Sequence, residues 1–308
     1  MMTDYRRLAQ QLRETYPGLD VREQEPMSRH TTFHVGGRVS LFVRPTIIEE
    51  VEGICRLLRE QGEKPFIMGR GSNLLFGDAD MDGVVLQLAE NFSSCTRESE
   101  TKLYAQAGVT MVRLAQIAQS YGLTGLEFAG GIPGALGGGI AMNAGAYGGE
   151  LKDVLVTVDY LDEDLNCRSE RAEDCDLRYR HSKFSDTGCV VLGARLRLEK
   201  SSEEAVKARM EELKQKRMAS QPLDFPSAGS TFKRPEGGYA AAMIDEAGLK
   251  GYTVGGAQVS PKHAGFVVNC GGATCADVLQ LMKDVQEKVY ARTGIRLEPE
   301  VKIIRSLK

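Results

Sequence analysis

The chain has 308 residues, enough for two domains. Its 39 basic and 42 acidic side chains leave a net charge of -3, and 42% of residues are hydrophobic. That balance, with no basic run, gives no electrostatic footprint for nucleic acid, and no apolar stretch approaches the roughly 18 residues of a membrane span. The opening MMTDYRRLAQQLRETY is polar and amphipathic, unlike a signal peptide. Seven cysteines (Cys55, Cys95, Cys167, Cys175, Cys189, Cys270, Cys275) are scattered without a C-x-x-C spacing, as expected of free thiols in a reducing cytosol. The four histidines form no H-E-x-x-H pair, and no metal site is expected.

Residues 4–16 read as an amphipathic helix with Leu8, Leu12 and Tyr16 on one stripe. Ser40 to Arg44 reads as a strand. Thr46 is placed to open a helix, with Glu49 completing a capping box and Val51, Ile54, Leu57 and Leu58 at helical spacing. Strands are expected at 65–68, 83–88 and 102–107, and a helix capped by Thr110 and stopped by Gly122. Val154 to Leu161 and Cys189 to Leu198 read as strands. Glu199 to Glu204 is a charged border before a long helix at 202–219. After the break at Pro222 to Pro226 come a helix at 239–247, a strand at 265–269, a helix from Thr274 to about Thr293, and a terminal strand from Glu300 to Ile304. Together these give an α+β chain of two domains.

The unusual stretch is Ala129 to Glu150, AGGIPGALGGGIAMNAGAYGGE, with nine glycines and no serine. Flexible linkers are polar and Gly/Ser-rich, so this apolar run points to backbone laid against a ligand. Such a run is a poor helix or strand, but its N–H groups can surround a pyrophosphate. A second cluster, Gly69-Arg70-Gly71-Ser72-Asn73, turns the chain from one short strand into the next. Neither cluster is a Rossmann fingerprint, and no Gly-Lys-Ser/Thr of a P-loop occurs. Two phosphate-cradling loops are expected, with no helix N-terminus behind either.

Seven segments carry a resemblance: SRHTTFHVGG (28–37), GRGSNLLF (69–76), GGIPGALGGGIAMNAGAYGGE (130–150), YRHSKF (179–184), PSAGSTFKRP (226–235), GGAQVSPKHAGFVVN (255–269) and LEPEVKII (297–304). In this order they resemble the UDP-N-acetylenolpyruvoylglucosamine reductases. The resemblance implies a two-lobed FAD-binding domain of the vanillyl-alcohol oxidase/p-cresol methylhydroxylase type over residues 1–200. A substrate-binding α+β domain over 201–308 would follow, its terminal strand reaching the active site. It also implies FAD as cofactor, NADPH as reductant, UDP-N-acetylglucosamine enolpyruvate as substrate, a cytoplasmic location, and no membrane, nucleic-acid or obligate protein partner. Arg180 and Ser230 lie 50 positions apart with no tyrosine between, which resembles the shorter subclass lacking a tyrosine loop. Phe232-Lys233-Arg234-Pro235 stands where other members carry Phe-Lys-Asn-Pro.

By the same resemblance the flavin contacts are Gly69, Arg70, Gly71, Ser72, Asn73, Gly130, Gly131, Ile132, Pro133, Gly134, Gly138, Asn143, Ala144 and Gly145. Tyr147, Lys233, Lys262 and His263 are implied on the substrate side, with Tyr147 close to the flavin pocket. The catalytic set is Arg180, Ser230 and Glu300. Hydride addition to a vinyl ether conjugated to a carboxylate builds negative charge that fixed donors must stabilise. A guanidinium such as Arg180 can hold the carboxylate bidentately. Ser230 would donate the proton, and Glu300 is either protonated or orients a donor. Read without the resemblance, Ser230 is a turn serine, Arg180 a surface arginine and Glu300 a solvated acid. The alternatives are an FAD-dependent alcohol or hydroxy-acid oxidase of the same fold, or a non-catalytic nucleotide-binding protein.

Overall fold

The computed structural model describes residues 3–185 and 187–307. They form two compact units. The first gathers the chain up to Glu23, Leu41–Arg70 and Gly83–Arg217; the second gathers Gln24–Ser40, Gly71–Asp82 and the chain from Met218 onward. The border expected at residue 200 separates the parts expected to hold FAD and the UDP-sugar. The compact units themselves divide after Arg217, and the second takes in two earlier segments.

In the first unit, helix α1 (Tyr5–Thr15) starts at Asp4, whose carboxylate accepts from the Arg6 and Arg7 N–H groups, and it buries Leu8, Ala9 and Leu12. Helix α2 (Ile48–Glu60) differs from expectation at its start: Ile47 is the cap residue. Thr46 instead donates through its N–H (2.6 Å) and hydroxyl (3.1 Å) to Glu50, so the contact is one residue later than the Thr46–Glu49 pairing. A four-stranded sheet runs in the order Asp20–Pro26, Arg38–Arg44, Met81–Gln87, Phe66–Met68. A second, five-stranded sheet runs Cys167–Arg171, Leu155–Leu161, Val190–Arg197, Lys102–Gln106, Cys95–Arg97. Its central strand is buried without interruption from Val190 to Ala194, which is why the sequence there loses polar alternation.

Helix α3 (Met111–Ser120) is capped by Thr110 as expected, its hydroxyl accepting from Arg113 N–H. The glycine-rich centre holds a surprise: Leu136–Ala141 is a short helix, α4, despite Gly137, Gly138 and Gly139. Packing overrides the entropic penalty of glycine here. Leu136 N–H donates to the Val109 carbonyl at 2.8 Å and Gly137 N–H to that of Ala107 at 2.7 Å. Helix α5 (Glu203–Ser220) buries Val206 and Leu213, and its Met210 packs against the main hydrophobic core of the first unit.

In the second unit, Leu74–Phe76 pairs in parallel with Lys302–Ile304. An antiparallel sheet runs Ser227–Ser230, Phe266–Asn269, Ala257–Val259, Thr253–Val254. Helices α6 (Ala240–Glu246) and α7 (Cys275–Thr293) cover a core that includes Phe33, Phe232, Val267, Val278 and Leu281. A Thr274/Asp277 capping box opens α7 and a left-handed Gly294 closes it. Asp78, far away in sequence, adds a second clasp: its carboxylate accepts from Cys275 N–H at 2.6 Å and Ala276 N–H at 3.0 Å. Negative charge at this helix start also meets the positive end of the dipole. Asp78→Ala is therefore expected to lower stability by about 1–2 kcal/mol, read as an earlier urea midpoint for the unfolding that includes α7. An unchanged midpoint would remove the clasp from the account.

Candidate active site

The glycine-rich segment is folded on itself more than its composition suggests. Ile132, Asn143 and Ala144 N–H groups donate to Ala129, Ile140 and Gly139 carbonyls. Gly145–Ala146 and Gly149–Glu150 form a hairpin whose two-residue turn is Tyr147-Gly148, at φ +53° and +90°. Positive φ at both turn residues is the type I′ pattern that suits hairpin twist. At Gly145 a Cβ would stand 2.7 Å from the Gly149 carbonyl oxygen, so this glycine serves hairpin closure. Gly130 and Gly131 serve helix packing: a Cβ there would meet Met210 at 3.1 Å and Arg217 at 2.9 Å.

Beside this segment a cleft of about 120 Å³ opens among Met68, Gly69, Leu88, Ala107, Gly137, Gly138, Ala141, Phe184, Ile67, Cys189 and Val191. No charged side chain lines it. Gly138 is exposed there, a Cβ on it would meet nothing within 4 Å, and its N–H has no backbone acceptor among the described residues.

Asn143 is buried and left-handed (φ +42°). Its amide donates to Glu150 Oε2 (2.7 Å) and the Arg178 carbonyl (3.3 Å), and its Oδ1 accepts from Lys152 N–H (2.9 Å). The side chain thus ties the hairpin to the loop that carries Arg180. In that loop Arg178 and His181 exchange backbone hydrogen bonds around Tyr179-Arg180, and Arg180 takes φ +53°. A non-glycine residue in this region costs about 1–3 kcal/mol and marks a held conformation. Ser182 does the holding: it is fully buried and its hydroxyl donates to the Ala141 carbonyl at the end of α4 (3.0 Å). The Arg180 guanidinium reaches the Gly145 carbonyl at 3.4 Å and lies over the Tyr179 ring.

In the second unit, Ser230 ends its strand after a bulge at Gly229, which is left-handed (φ +76°). Its hydroxyl has no hydrogen-bond partner among the described residues. Thr231 is the fixed point: its N–H donates to the Gly265 carbonyl (2.8 Å), its hydroxyl accepts from Val267 N–H (3.0 Å), and its carbonyl accepts from Glu300 N–H (2.8 Å). The Glu300 carbonyl in turn accepts from the Asn73 amide at 3.0 Å, and the Asn73 carbonyl from Lys302 N–H at 2.9 Å. Regular pairing begins at Lys302 and not at Glu300, because Glu300 bonds sideways to Thr231. Ser230, Glu300 and the Gly71-Ser72-Asn73 half of the second glycine cluster are thereby brought together.

Other expected residues have protein partners. Arg70 pairs with Glu90 at the surface. Lys233 is 3.6 Å from Glu298, both exposed. Lys262 donates its ammonium to the Met218 carbonyl at 2.6 Å. His263 stacks edge-on against Phe266, and its Nδ1 accepts from Gly265 N–H at 3.2 Å. Burial pushes its imidazole below the ordinary 6.5, with Lys250 adding to the fall. The stability it gives is present above 6.5 and lost as pH drops through the lowered value.

Comparison with known proteins decides the family. The chain matches the FAD binding domain family over residues 39–164 and the C-terminal domain of UDP-N-acetylenolpyruvoylglucosamine reductase over 221–304. It is 45% identical to the UDP-N-acetylenolpyruvoylglucosamine reductase of Syntrophomonas wolfei, covering 92% of this chain and 95% of that one. With the Clostridioides difficile protein of the same name it shares 44% identity, covering 92% and 93%. The solved UDP-N-acetylenolpyruvylglucosamine reductase of Thermus caldophilus superposes with a TM-score of 0.79 at 33% identity, covering 93% and 98%. The chain belongs to the UDP-N-acetylenolpyruvoylglucosamine reductase family. Its fold also matches alkyldihydroxyacetonephosphate synthase, at a TM-score of 0.50 and 14% identity, over 65% of this chain and 42% of that one. This reductase is accordingly an FAD-containing oxidoreductase with NADPH as its reductant.

The residues present fit a flavin dinucleotide. The uncharged cleft suits a flat ring, and at Gly138 the bare backbone leaves room and an N–H to donate. Two residues that hold the candidate site were not legible as such: Thr231 and Ser182. Both sit inside recognised motifs (GSTFK, YRHS), but their hydrogen bonds leave no sequence mark. Gly137 and Gly138 should respond oppositely to substitution. Gly137→Ala would drive a Cβ to 2.9 Å from that of Ala107 and lower stability. Gly138→Ala should be neutral or stabilising by up to about 1 kcal/mol, whereas Gly138→Leu should fill the cleft and weaken FAD at least about tenfold with stability retained. Thermal melts and FAD titrations of the three variants check this; full FAD affinity in Gly138→Leu would show that the cleft is not the cofactor's.

Proposed function

We propose that the protein reduces the enolpyruvyl ether of UDP-N-acetylglucosamine to the D-lactyl ether of UDP-N-acetylmuramate, in the cytoplasmic synthesis of peptidoglycan precursors. Bound FAD supplies the hydride chemistry, between NADPH and the terminal vinyl carbon. The chain's own residues manage charge and proton. The Arg180 guanidinium receives the substrate carboxylate through two parallel hydrogen bonds that strengthen as charge grows on it. The Ser230 hydroxyl gives its proton to the carbon bearing the ether oxygen, which is basic enough to take it only once the carbanion has formed. Glu300, beside Ser230 through the Thr231 hydrogen bond, either donates in its protonated form or orients the donor. FAD is assigned to residues up to about 200 and the UDP-sugar to the remainder, with Tyr147, Lys233, Lys262 and His263 on the substrate side.

The observation that carries this reading is the Ser230 hydroxyl. It is half-buried, lies next to Thr231 with its three hydrogen bonds, and has no partner among the described residues. A serine that only shapes a turn normally bonds a neighbouring backbone group. Reduction of the flavin by NADPH needs no proton donor to carbon. Ser230→Ala should leave that half-reaction nearly intact and slow reoxidation by the enolpyruvyl substrate by at least about 10²-fold. Ser230→Cys should recover part of the loss. Stopped-flow traces of both halves decide it: equal loss in the two would take Ser230 out of the mechanism.

A further inference from the structure

Residues 28–37 form the first of the seven recognised segments, and none of them enters the catalytic reading. They belong to the second unit, together with Gly71-Ser72-Asn73 and the strand Ser227–Ser230. Thr32, half-buried, reaches both. Its N–H donates to the Gly71 carbonyl (3.3 Å) and its hydroxyl donates to the Ser227 carbonyl (2.7 Å). The chain around Thr32 is braced. The buried Thr31 donates its hydroxyl to the Val35 carbonyl (3.0 Å), and the Phe33 carbonyl accepts the amide of the buried Asn269 (3.0 Å).

Ser227–Ser230 is the edge strand of its sheet, and it is bulged. Ser227 faces Val268 and Ser230 faces Phe266, so three steps along one strand answer two along the other. A bulge disrupts the ladder locally and re-aims the side chains around it. Pairing with Phe266–Asn269 therefore does not by itself fix Ser230. The Pro226 carbonyl takes the ladder bond from Asn269 N–H (2.9 Å). The next carbonyl, that of Ser227, alternates to the open edge of the sheet, where the ladder offers no donor. The Thr32 hydroxyl supplies one. Beyond the bulge, Thr231 bonds the Gly265 carbonyl and Val267 N–H. Ser230 is thus carried on a bulge held at both ends, by Thr32 before it and by Thr231 after it.

We propose that Thr32 is a positioning residue for proton delivery. Its hydroxyl pins the Ser227 carbonyl and so sets where the Ser230 hydroxyl stands relative to Gly71-Ser72-Asn73. This rests on the reading of Ser230 as proton donor and adds a residue that acts only through it. An apolar side chain of the same shape would fill the space equally well; the hydroxyl contributes the bond.

The test uses the full chain as FAD holoenzyme: wild type, Thr32→Val, Thr32→Ser, Ser230→Ala and the Thr32→Val/Ser230→Ala double variant, each followed by stopped flow through both half-reactions. Thr32→Val should slow reoxidation by the enolpyruvyl substrate about ten- to a hundredfold, the range reached by a displacement of about 1 Å, and leave flavin reduction by NADPH within about twofold of wild type. Thr32→Ser keeps the hydroxyl and should stay within about threefold of wild type in both halves. In the Ser230→Ala background the Val substitution should add less than about twofold, because nothing is left to position. If Ser230→Ala itself leaves reoxidation intact, the Ser230 reading fails and this inference falls with it. If Ser230→Ala slows reoxidation and Thr32→Val does not, the inference about Thr32 alone is overturned. Equal slowing of both half-reactions by Thr32→Val, or slowings that multiply in the double variant, would show a general structural role and overturn it too. Should the Val variant not fold, Thr32→Ala is read by the same outcomes.

Discussion

The junction of three distant segments in the second unit depends on the two backbone bonds of Glu300. Its N–H goes to the Thr231 carbonyl and its own carbonyl takes the Asn73 amide. Three positions distant in sequence are joined there, and each belongs to a different recognised motif. Thr231 places Ser230 beside Glu300, and Asn73 starts the strand that runs parallel to Lys302–Ile304. A buried backbone group left unpaired costs free energy, so neither bond can be dropped without the strand ends separating. Thr231 adds two further bonds with its N–H and hydroxyl. The result is a platform under a serine hydroxyl that has no partner among the described residues.

In the first unit the comparable constraint is left-handed backbone at non-glycine residues. Asn143, Tyr147 and Arg180 all have φ between +42° and +53°. Asn143 tolerates this and its amide bonds both neighbouring segments. Arg180 does not tolerate it, and the buried Ser182 and the Arg178–His181 pair hold it there. Strain held by over-determined surroundings is typical of functional loops. It fixes a guanidinium that would otherwise swing freely in solvent.

Much of this was legible in the chain. Helices α3, α5 and α7 and the main strands fall within a few residues of where periodicity and caps put them. The glycine-rich centre was recognised as the place for a ligand, but its internal structure was misjudged. Composition argued against a helix at Leu136–Ala141, and only tertiary bonds from Val109 and Ala107 stabilise one there. Glycines at 130, 131 and 145 read as ligand-facing, and a helix or a hairpin strand also comes close to each of them. Sequence cannot separate these causes, since both demand the absence of a Cβ. Nor does sequence show that Lys262 also bonds the Met218 carbonyl and that His263 accepts from the Gly265 N–H.

Family membership, the uncharged glycine-lined cleft and the unpartnered serine together describe an enzyme that takes up reducing equivalents from one ligand and delivers them to another. The most direct measurement is an anaerobic absorbance record of the purified yellow protein. Addition of NADPH should bleach the oxidised flavin band. Subsequent addition of UDP-N-acetylglucosamine enolpyruvate should restore it without oxygen, with one equivalent of UDP-N-acetylmuramate formed. A flavin that is bleached by NADPH but regains its colour only when air is admitted would contradict the account.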